Sequence, residues 1–424
     1  MSEPDLSKPK NNGINPFVTG LSIVNLFYSL LMTLFGYTLY LLLEREGVSL
    51  YWGALGVSLG QLALLAILIP QGRAIDRGYT YSIMVAGSLI YSLSIGVLFF
   101  SGTLFRDGLI FAIPLAILIA TASQNAFRSS MNSFIGKAVR SSLMGSNYAR
   151  ILTMEMVGGA LAMVVAYIIG ETSSIRYAYI IFPVILIITV SLIFTVLYRD
   201  SRTSMALQVS SIPPQSLRQG LRNLGSRKRF LIPIYSGKIF MAIGFYGFSY
   251  YFILTGVNLG LGPEVPILLL AAVFAASIPF GKIAESVLQK FPNLGKAYVI
   301  MISIIDVFSY LLIFLSTLTG NGILYFASVA VMIPGPLPTS GALGYEVRMV
   351  GKENRGIYAS FQRILVAIAF IVVSFPMVEL YYRNVYLLWL FILSTSLMGL
   401  ISGILLPGEK KNREIMTNDG STVN

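Results

Sequence analysis

The stretch AILIPQGRAID, Ala66 to Asp76, and the stretch AASIPFGKIAE, Ala275 to Glu285, share one pattern. Each ends a long apolar run with Ile-Pro, one further residue, Gly, a basic residue, and an acid three places later. The two copies lie 209 residues apart in a chain of 424 residues. A phrase repeated at half the chain length predicts that the protein is built from two related halves.

The composition predicts an all-α integral membrane protein. Apolar residues make up 55% of the chain and charged residues only 11%, with a mean hydropathy of +0.76. A soluble domain usually carries about 25% charged residues. The sequence contains no histidine and no cysteine, which excludes imidazole or thiolate metal sites, haem ligation, cysteine nucleophiles and disulfides. We therefore expect no metal and no cofactor, and the sequence does not indicate a coupling ion.

Twelve apolar runs are long enough to cross a bilayer, which takes about 20 residues. The runs of the first half are Phe17–Leu43, Trp52–Pro70, Tyr81–Ser101, Gly108–Phe127, Arg150–Gly170 and Tyr177–Leu197. Those of the second half are Leu231–Leu254, Val265–Phe280, Ala297–Thr317, Gly322–Leu343, Gly356–Val378 and Val385–Leu406. The predicted organisation is a tail (1–16), a six-helix bundle (17–197), a basic linker (198–230), a second six-helix bundle (231–406) and a C-terminal tail (407–424).

The basic residues predict the orientation of the bundle. Of the 30 Lys and Arg residues, 25 lie on the side of both termini, four lie on the other side, and Lys238 falls within a span. Positive charge accumulates on the cytoplasmic side, so we expect both termini in the cytoplasm and a location in the cell membrane. The net charge of +12 then reflects topology and contact with anionic lipid rather than nucleic-acid binding. Binding of a partner by the basic linker is the alternative.

A second correspondence supports the duplication. GKAVRSSLMGSNYARIL precedes the fifth run and YEVRMVGKENRGIYASFQRIL precedes the eleventh, so Arg150 and Arg363 occupy equivalent places. The segment Gly72-Arg-Ala-Ile-Asp76-Arg77-Gly78 resembles the signature Gly-x-x-x-Asp-Arg-x-Gly of the major facilitator superfamily, and ENRGIYASFQR resembles the start of that family's eleventh helix. Here Gly78 comes one place early and Tyr79-Thr80 replace a basic pair. The topology match runs from about Phe17 to Leu406.

The resemblance implies a transporter with two pseudo-twofold-related bundles and a substrate site at mid-membrane. Gly72 and Gly281 would permit close backbone approach and a sharp exit from the helix. By the pseudo-symmetry, Asp76 would cap the eleventh span near Arg355 and Glu285 the fifth, closing the cytoplasmic side in an outward-open state. Simple interfacial stop charges are the alternative. The predicted gate residues are Gly72, Asp76, Arg77, Arg128, Arg150, Glu155, Gly281, Lys282, Glu285, Arg355 and Arg363.

The substrate site is predicted on the first, fourth, seventh and tenth spans, which line the cavity in the family. IPGPLPTSG, Ile333–Gly341, cannot form a continuous helix, and freed backbone groups need a protein interior or a wet cavity. The predicted substrate-binding residues are Asn25, Ser29, Gln124, Asn125, Lys238, Tyr246, Ser249, Pro336 and Thr339. Hydrogen bonds that only pack helices are the alternative for the polar members. Asp306 is assigned no role.

These features predict a secondary-active transporter that moves a small organic solute or drug-like compound by alternating access. An organic-anion carrier that uses Lys238 and Arg128 is the alternative, as is a non-transporting receptor or sensor on the same scaffold. An enzyme is not expected, because the 18 acidic residues are scattered and no glycine-rich phosphate loop opens a helix. The partners expected are a small-molecule substrate and the lipid bilayer, and the resemblance implies a monomer.

Overall fold

The computed structural model describes residues 16–76, 79–138, 144–205, 228–291, 294–350 and 355–407. The helices of the first half are α1 (Pro16–Arg45), α2 (Leu50–Asp76), α3 (Thr80–Val97), α4 (Ser101–Arg106), α5 (Ala112–Ala138), α6 (Met144–Thr172) and α7 (Ala178–Met205). Those of the second half are α8 (Lys228–Asn258), α9 (Glu264–Lys290), α10 (Gly295–Thr319), α11 (Gly322–Ala330), α12 (Pro336–Val350), α13 (Arg355–Arg383) and α14 (Val385–Ile404).

Twelve membrane passes follow from these helices, because α3 continues through a 3₁₀ turn into α4 and α11–α12 form one broken pass. Within the described residues, ten helical stretches are long and apolar enough to cross a membrane. The other two passes are α5 and the α11–α12 pair. The first carries Gln124, Asn125 and Arg128, and the second is interrupted by turns from Val331 to Gly335. The least apolar passes are therefore the ones in which polar side chains or backbone groups lie at membrane depth.

The chain alternates between two ends of the bundle. We call the end where α1 begins and α14 ends the terminal side, and the other the opposite side. Four turns on the opposite side contain a glycine with positive φ, namely Gly47, Gly108, Gly260 and Gly320, with φ between 69° and 82°. Gly47 and Gly260 are 213 residues apart, and Gly108 and Gly320 are 212 apart. Residues with a Cβ rarely adopt this conformation, so each of these turns favours glycine. The turns therefore repeat at nearly the same spacing as the repeated sequence pattern.

The two halves meet along a seam that four helix pairs form. Helices α6 and α9 run antiparallel in contact, so Gly145 lies near Leu288 and Gly159 near Phe274. Helix α12 packs on α6, α1 on α8, and α2 on α13. Buried apolar side chains of both halves form a continuous core, while Leu62, Leu192 and other large apolar residues are exposed around the outside. An apolar belt of this kind fits a lipid environment.

The helices are longer than the apolar runs that predicted them. The fourth run ends at Phe127, but α5 continues to Ala138. Two helices extend into the predicted linker, because α7 ends at Met205 and α8 begins at Lys228. Helical hydrogen bonds persist beyond the hydrocarbon, where polar side chains reach water. The predicted sharp exits at Gly72 and Gly281 are wrong for the same reason, since both residues lie inside α2 and α9.

Candidate functional site

Tyrosines join the halves towards the opposite side. The Tyr40 hydroxyl of α1 lies 3.0 Å from the Tyr246 hydroxyl of α8, and both side chains are buried. The Tyr40 ring centroid is 4.9 Å from that of Tyr250 and 5.1 Å from that of Tyr251. Apolar ring contacts and one buried polar contact therefore link the first and seventh passes.

Helices α2 and α13 close the seam at the same end. The Leu50 amide donates to the Tyr382 hydroxyl (3.2 Å), and the Tyr51 hydroxyl donates to the Glu379 carboxylate. Glu379 also accepts from Arg383 (2.7 Å). All these contacts cross from one half to the other, except the last, which lies within α13.

Helices α6 and α9 hold the halves together towards the terminal side. Arg150 Nε and Nη2 donate to the two carboxylate oxygens of Glu285 at 3.0 and 3.3 Å. One turn beyond, Gln289 Nε2 donates to the Ser146 hydroxyl at 3.3 Å. Gly281 faces Thr153 so closely that an added Cβ would overlap Thr153 Oγ1 and lie 3.3 Å from Thr153 Cα. This end combines a two-point ion pair with close helix contact.

Between these contacts lies a group of polar residues that we call the seam cluster: Tyr28, Gln124, Arg128, Glu155 and Arg363. Arg128 Nη2 lies 3.1 Å from Glu155 Oε1, and the two side chains keep 33% and 25% of their surface exposed. The Tyr28 hydroxyl donates to the Gln124 carbonyl oxygen at 2.8 Å, and its ring stacks on Phe127 at 3.8 Å. The partial exposure shows that the ion pair borders open space rather than a sealed core.

The members of the seam cluster lie at similar depth. At 1.5 Å per helical residue, Arg363 lies about 12 Å from the start of α13, Arg128 about 15 Å from the end of α5, and Glu155 about 16 Å from the start of α6. Half of a hydrocarbon core is about 15 Å. Because these helices extend beyond the hydrocarbon, the three charged groups lie within the membrane on the terminal side of the helix midpoints.

The gate role of Arg128, Glu155 and Arg363 stays a prediction. Sequence analysis put Arg128 at the end of the fourth span, but ten more residues of α5 follow it. Arg363 comes two turns into α13. Apolar runs underestimate helix length, so residues near a run's edge lie deeper than expected.

A model of the Major Facilitator Superfamily matches residues 17–374. The chain belongs to this superfamily. Among solved structures, it is similar to the proton:xylose symporter XylE bound to 6-bromo-6-deoxy-D-glucose, at 13% identity and a TM-score of 0.64, over 92% of this chain and 94% of that one. It is also similar to a bacterial homologue of the iron transporter ferroportin in an outward-facing state with soaked iron, at 12% identity and 0.66, over 92% and 99%. No curated protein matches.

Membership confirms the family resemblance, and the structural matches confirm a twelve-helix fold of two six-helix bundles. At 12–13% identity these matches establish the fold alone. The superfamily consists of membrane transporters, and one of the two relatives is named for a sugar and the other for iron. Their cargo therefore does not carry over to this chain.

Lys238 does not lie in the cavity between the two halves where it was predicted. Its ammonium lies 2.7 Å from Glu346 Oε1, inside the second half between α8 and α12. Glu346 is 3% exposed, and its other oxygen accepts from the Tyr358 hydroxyl at 3.4 Å. The adjoining cavity holds about 20 Å³, which is room for a water molecule and not for a solute. Glu346 neutralises Lys238 here, which disfavours an anion site at this residue, and its contact with substrate stays a prediction.

The polar residues of α1 follow the packing alternative. Asn25 Nδ2 donates to the main-chain carbonyl oxygen of Ile151 (3.4 Å). The Ser29 hydroxyl lies against Gly158 and donates to the main-chain carbonyl oxygens of Leu26 and Glu155, so it does not border open space. Both residues are buried between α1 and α6. They hold two helices of one half together, which favours the packing alternative, and their contact with substrate stays a prediction.

The adjacent amides on α5 differ from each other. Gln124 is half-buried and donates only a weak bond, 3.5 Å long, to the Met32 sulfur. Asn125 is 5% exposed, and its side-chain amide has no hydrogen-bond partner within the described part of the chain. Gln124 belongs to the seam cluster, whereas Asn125 points away from open space.

Three further predicted substrate residues lie near the seam. Tyr246 is buried under Tyr40, and Ser249 is 4% exposed with no hydrogen-bond partner for its hydroxyl among the described residues. The break predicted in the tenth span is confirmed, since α12 starts at Pro336 after the turns; Thr339 is half-buried and its amide donates to Gly335. Their contact with substrate remains a prediction.

The gate prediction can be compared for part of its residues only. The side chains of Asp76 and Arg355, and the whole of Arg77, lie outside the described residues. Gly72 faces open space, and Lys282 is exposed. Glu285 reaches the fifth pass as expected, but binds the Arg150 guanidinium rather than capping the start of α6. Asp306 lies at the middle of α10 and forms no hydrogen bond or ion pair with the other described residues.

Tyr28 and the pairing of Lys238 with Glu346 were not predicted from the sequence. Tyr28 lies on α1 among many other aromatic and apolar residues, so composition gave no signal for it. The ion pair would have required the rotation of two helices about their axes, which an apolar run does not fix.

Proposed function

We propose that the protein is a secondary-active transporter that moves a small organic solute across the cell membrane by alternating access between its halves. The observation that carries this proposal is the seam cluster, a set of polar and charged groups within the membrane between two layers of contacts. Arg150 and Glu285 close the terminal side, and Tyr40 and Tyr246 close the opposite side. Alternating access requires that each layer opens while the other stays closed.

The uneven distribution of Lys and Arg supports a cytoplasmic terminal side. In this orientation the Arg150–Glu285 contact is the inner gate and the tyrosines are the outer gate. A receptor on the same scaffold would bind a solute without moving it, so the test must measure flux.

The test uses the absence of native cysteine. One cysteine pair, Tyr51→Cys with Glu379→Cys, is bridged through disulfides to a bis-methanethiosulfonate spacer and locks the opposite side. Another, Gly145→Cys with Leu288→Cys, has Cβ positions 3.7 Å apart, forms a direct disulfide and locks the terminal side. A matched control, Ser236→Cys with Ser402→Cys, joins two hydroxyls 3.1 Å apart within the second half. Proteoliposomes are assayed for uptake of D-xylose, succinate, glycerol 3-phosphate and tetraphenylphosphonium.

We expect uptake of at least one solute by the parent protein, loss of uptake after either seam pair is cross-linked, and recovery on reduction. The control pair should transport in both states. Continued uptake with a seam locked would reject alternating access. Uptake of none of the solutes would reject the transport proposal.

A further inference from the structure

Two arginines face the same space from opposite halves. Arg128 lies one turn after Gln124 on α5. The Gln124 side chain contacts Met32 of α1, and Arg128 pairs with Glu155 of α6. Arg363 lies seven residues before Phe370 on α13, and residues seven apart share a helix face. Phe370 contacts Tyr246 on the seam, with ring centroids 5.1 Å apart. Arg363 is accordingly within electrostatic range of Arg128 and Tyr28.

The charges of the seam cluster do not balance. Glu155 neutralises Arg128, but Arg363 forms no ion pair with any acid in the described residues. Glu285 pairs with Arg150 and Glu346 with Lys238, and the unpaired Asp306 lies on α10 and is not among the groups that act on Arg363. The charge that acts most strongly on Arg363 is the like charge of Arg128. Among the described residues Arg363 is therefore a cation within the membrane without a counter-ion, a placement that is costly and usually serves a function.

The donor groups beside Arg363 favour an oxyanion as the ligand. Guanidinium groups bind carboxylates and phosphates through two parallel hydrogen bonds, and they keep their charge throughout the physiological pH range. The Gln124 amide, held only by the Met32 sulfur, offers a further donor. The stacked rings of Tyr28 and Phe127 supply an apolar wall beside these donors.

We infer that the substrate is a small organic anion whose carboxylate or phosphate group binds Arg128 and Arg363 together. Glu155 is then the internal counter-ion that holds Arg128 when the site is empty. This inference rests on the proposed transport function and adds the class of substrate. Because one arginine belongs to each half, the anion links the halves directly and favours the state in which both arginines reach it.

The experiment measures ligand binding to the purified protein by thermal shift and by calorimetric titration. The probes are succinate, citrate and glycerol 3-phosphate, with D-xylose as the neutral control and tetraphenylphosphonium as the cationic control. A ligand that binds the folded state raises Tm, so at least one anion should do so and the two controls should not. Arg363→Gln should weaken anion binding about 10- to 100-fold. Arg363→Lys should bind with intermediate affinity, since it keeps the charge but not the two-point geometry.

Arg106→Gln is the matched control, because Arg106 ends α4, is exposed and forms no ion pair among the described residues. Its anion affinity should equal that of the parent. The ligand-free Tm of Arg363→Gln separates the proposal from a packing role. Removal of an unpaired cation should leave that Tm unchanged or raise it, whereas removal of a structural contact would lower it.

Several outcomes overturn the inference. The first is that folded Arg363→Gln binds anions as tightly as the parent. The second is that the ligand-free Tm of Arg363→Gln falls while Arg363→Ala still binds anions. If D-xylose or tetraphenylphosphonium is transported and no anion binds, the inference fails while the transport proposal stands. Stabilisation by phosphatidylglycerol in otherwise neutral nanodiscs, without any response to soluble anions, would assign the arginines to a lipid headgroup and also overturn it.

Discussion

The Arg150 guanidinium binds the Glu285 carboxylate across the seam through two hydrogen bonds of 3.0 and 3.3 Å. Both residues belong to repeated motifs. Arg150 begins the Arg-Ile-Leu motif of the first half, and Glu285 ends the Ile-Pro motif of the second half. A link between copies in different halves is what a duplicated gate requires.

Neutralising this pair should loosen the terminal side. The pair is about one-quarter exposed, so its contribution is about 1 kcal/mol or less, which corresponds to about a fivefold change in the closed population. Glu285→Gln should raise the reaction rate of a Thr153→Cys variant with an impermeant maleimide, because Thr153 is buried beneath Gly281. The exchanged pair Arg150→Glu with Glu285→Arg should restore protection. Equal rates in all three proteins would show that the pair does not hold the gate.

The two glycines of the repeated phrase should respond differently to a methyl group. Gly281→Ala places its Cβ on Thr153 and should force α6 and α9 apart, reducing transport several-fold. Gly72→Ala is the matched control, since an added Cβ there meets nothing within 4 Å. Thr153→Ala should partly rescue Gly281→Ala by removing the hydroxyl that overlaps. Proteoliposome uptake and Tm compare the four proteins, and a larger loss at Gly72 would contradict the contact.

The Tyr40–Tyr246 contact should behave as a coupled pair. Tyr40→Phe or Tyr246→Phe leaves a buried hydroxyl without its partner, at a cost of about 1–3 kcal/mol. The double variant removes both hydroxyls and should lose less stability than the sum of the singles. The free energy of unfolding in mixed micelles measures this coupling. Additive losses would mean that the two hydroxyls do not bind each other.

The buried pair in the second half should be structural. Lys238→Met leaves the Glu346 carboxylate uncompensated and should destabilise the protein by about 3–5 kcal/mol. The double variant Lys238→Met with Glu346→Gln removes both charges, keeps an acceptor for Tyr358, and should recover most of the stability. Solute binding should recover with it. A double variant that is stable but does not bind solute would return Lys238 to the substrate site.

The comparison of sequence and structure separates two kinds of information. Bilayer thickness fixes the length of an apolar run, and Pro-Gly clusters interrupt helices, so the twelve passes, the duplication and the break before Pro336 could be predicted. Charge pairs depend on the rotation and depth of helices, which tertiary packing decides. Lys238 looked like a free cation because Glu346 is 108 residues away in sequence.

The role of Glu155 as internal counter-ion leads to the most direct test of the site's charge. Glu155→Gln keeps the shape of the side chain and its ability to accept a bond from Arg128, but removes the negative charge that competes with an incoming anion. The variant should therefore bind the responding anion more tightly than the parent, by about tenfold for each 1.4 kcal/mol of competition removed. Its ligand-free Tm should fall, because Arg128 loses its counter-ion, and saturating anion should restore it. Calorimetric titration measures the first effect and thermal shift the second. A charge-independent role for Glu155 would give weaker binding or none, and no recovery of Tm by the anion.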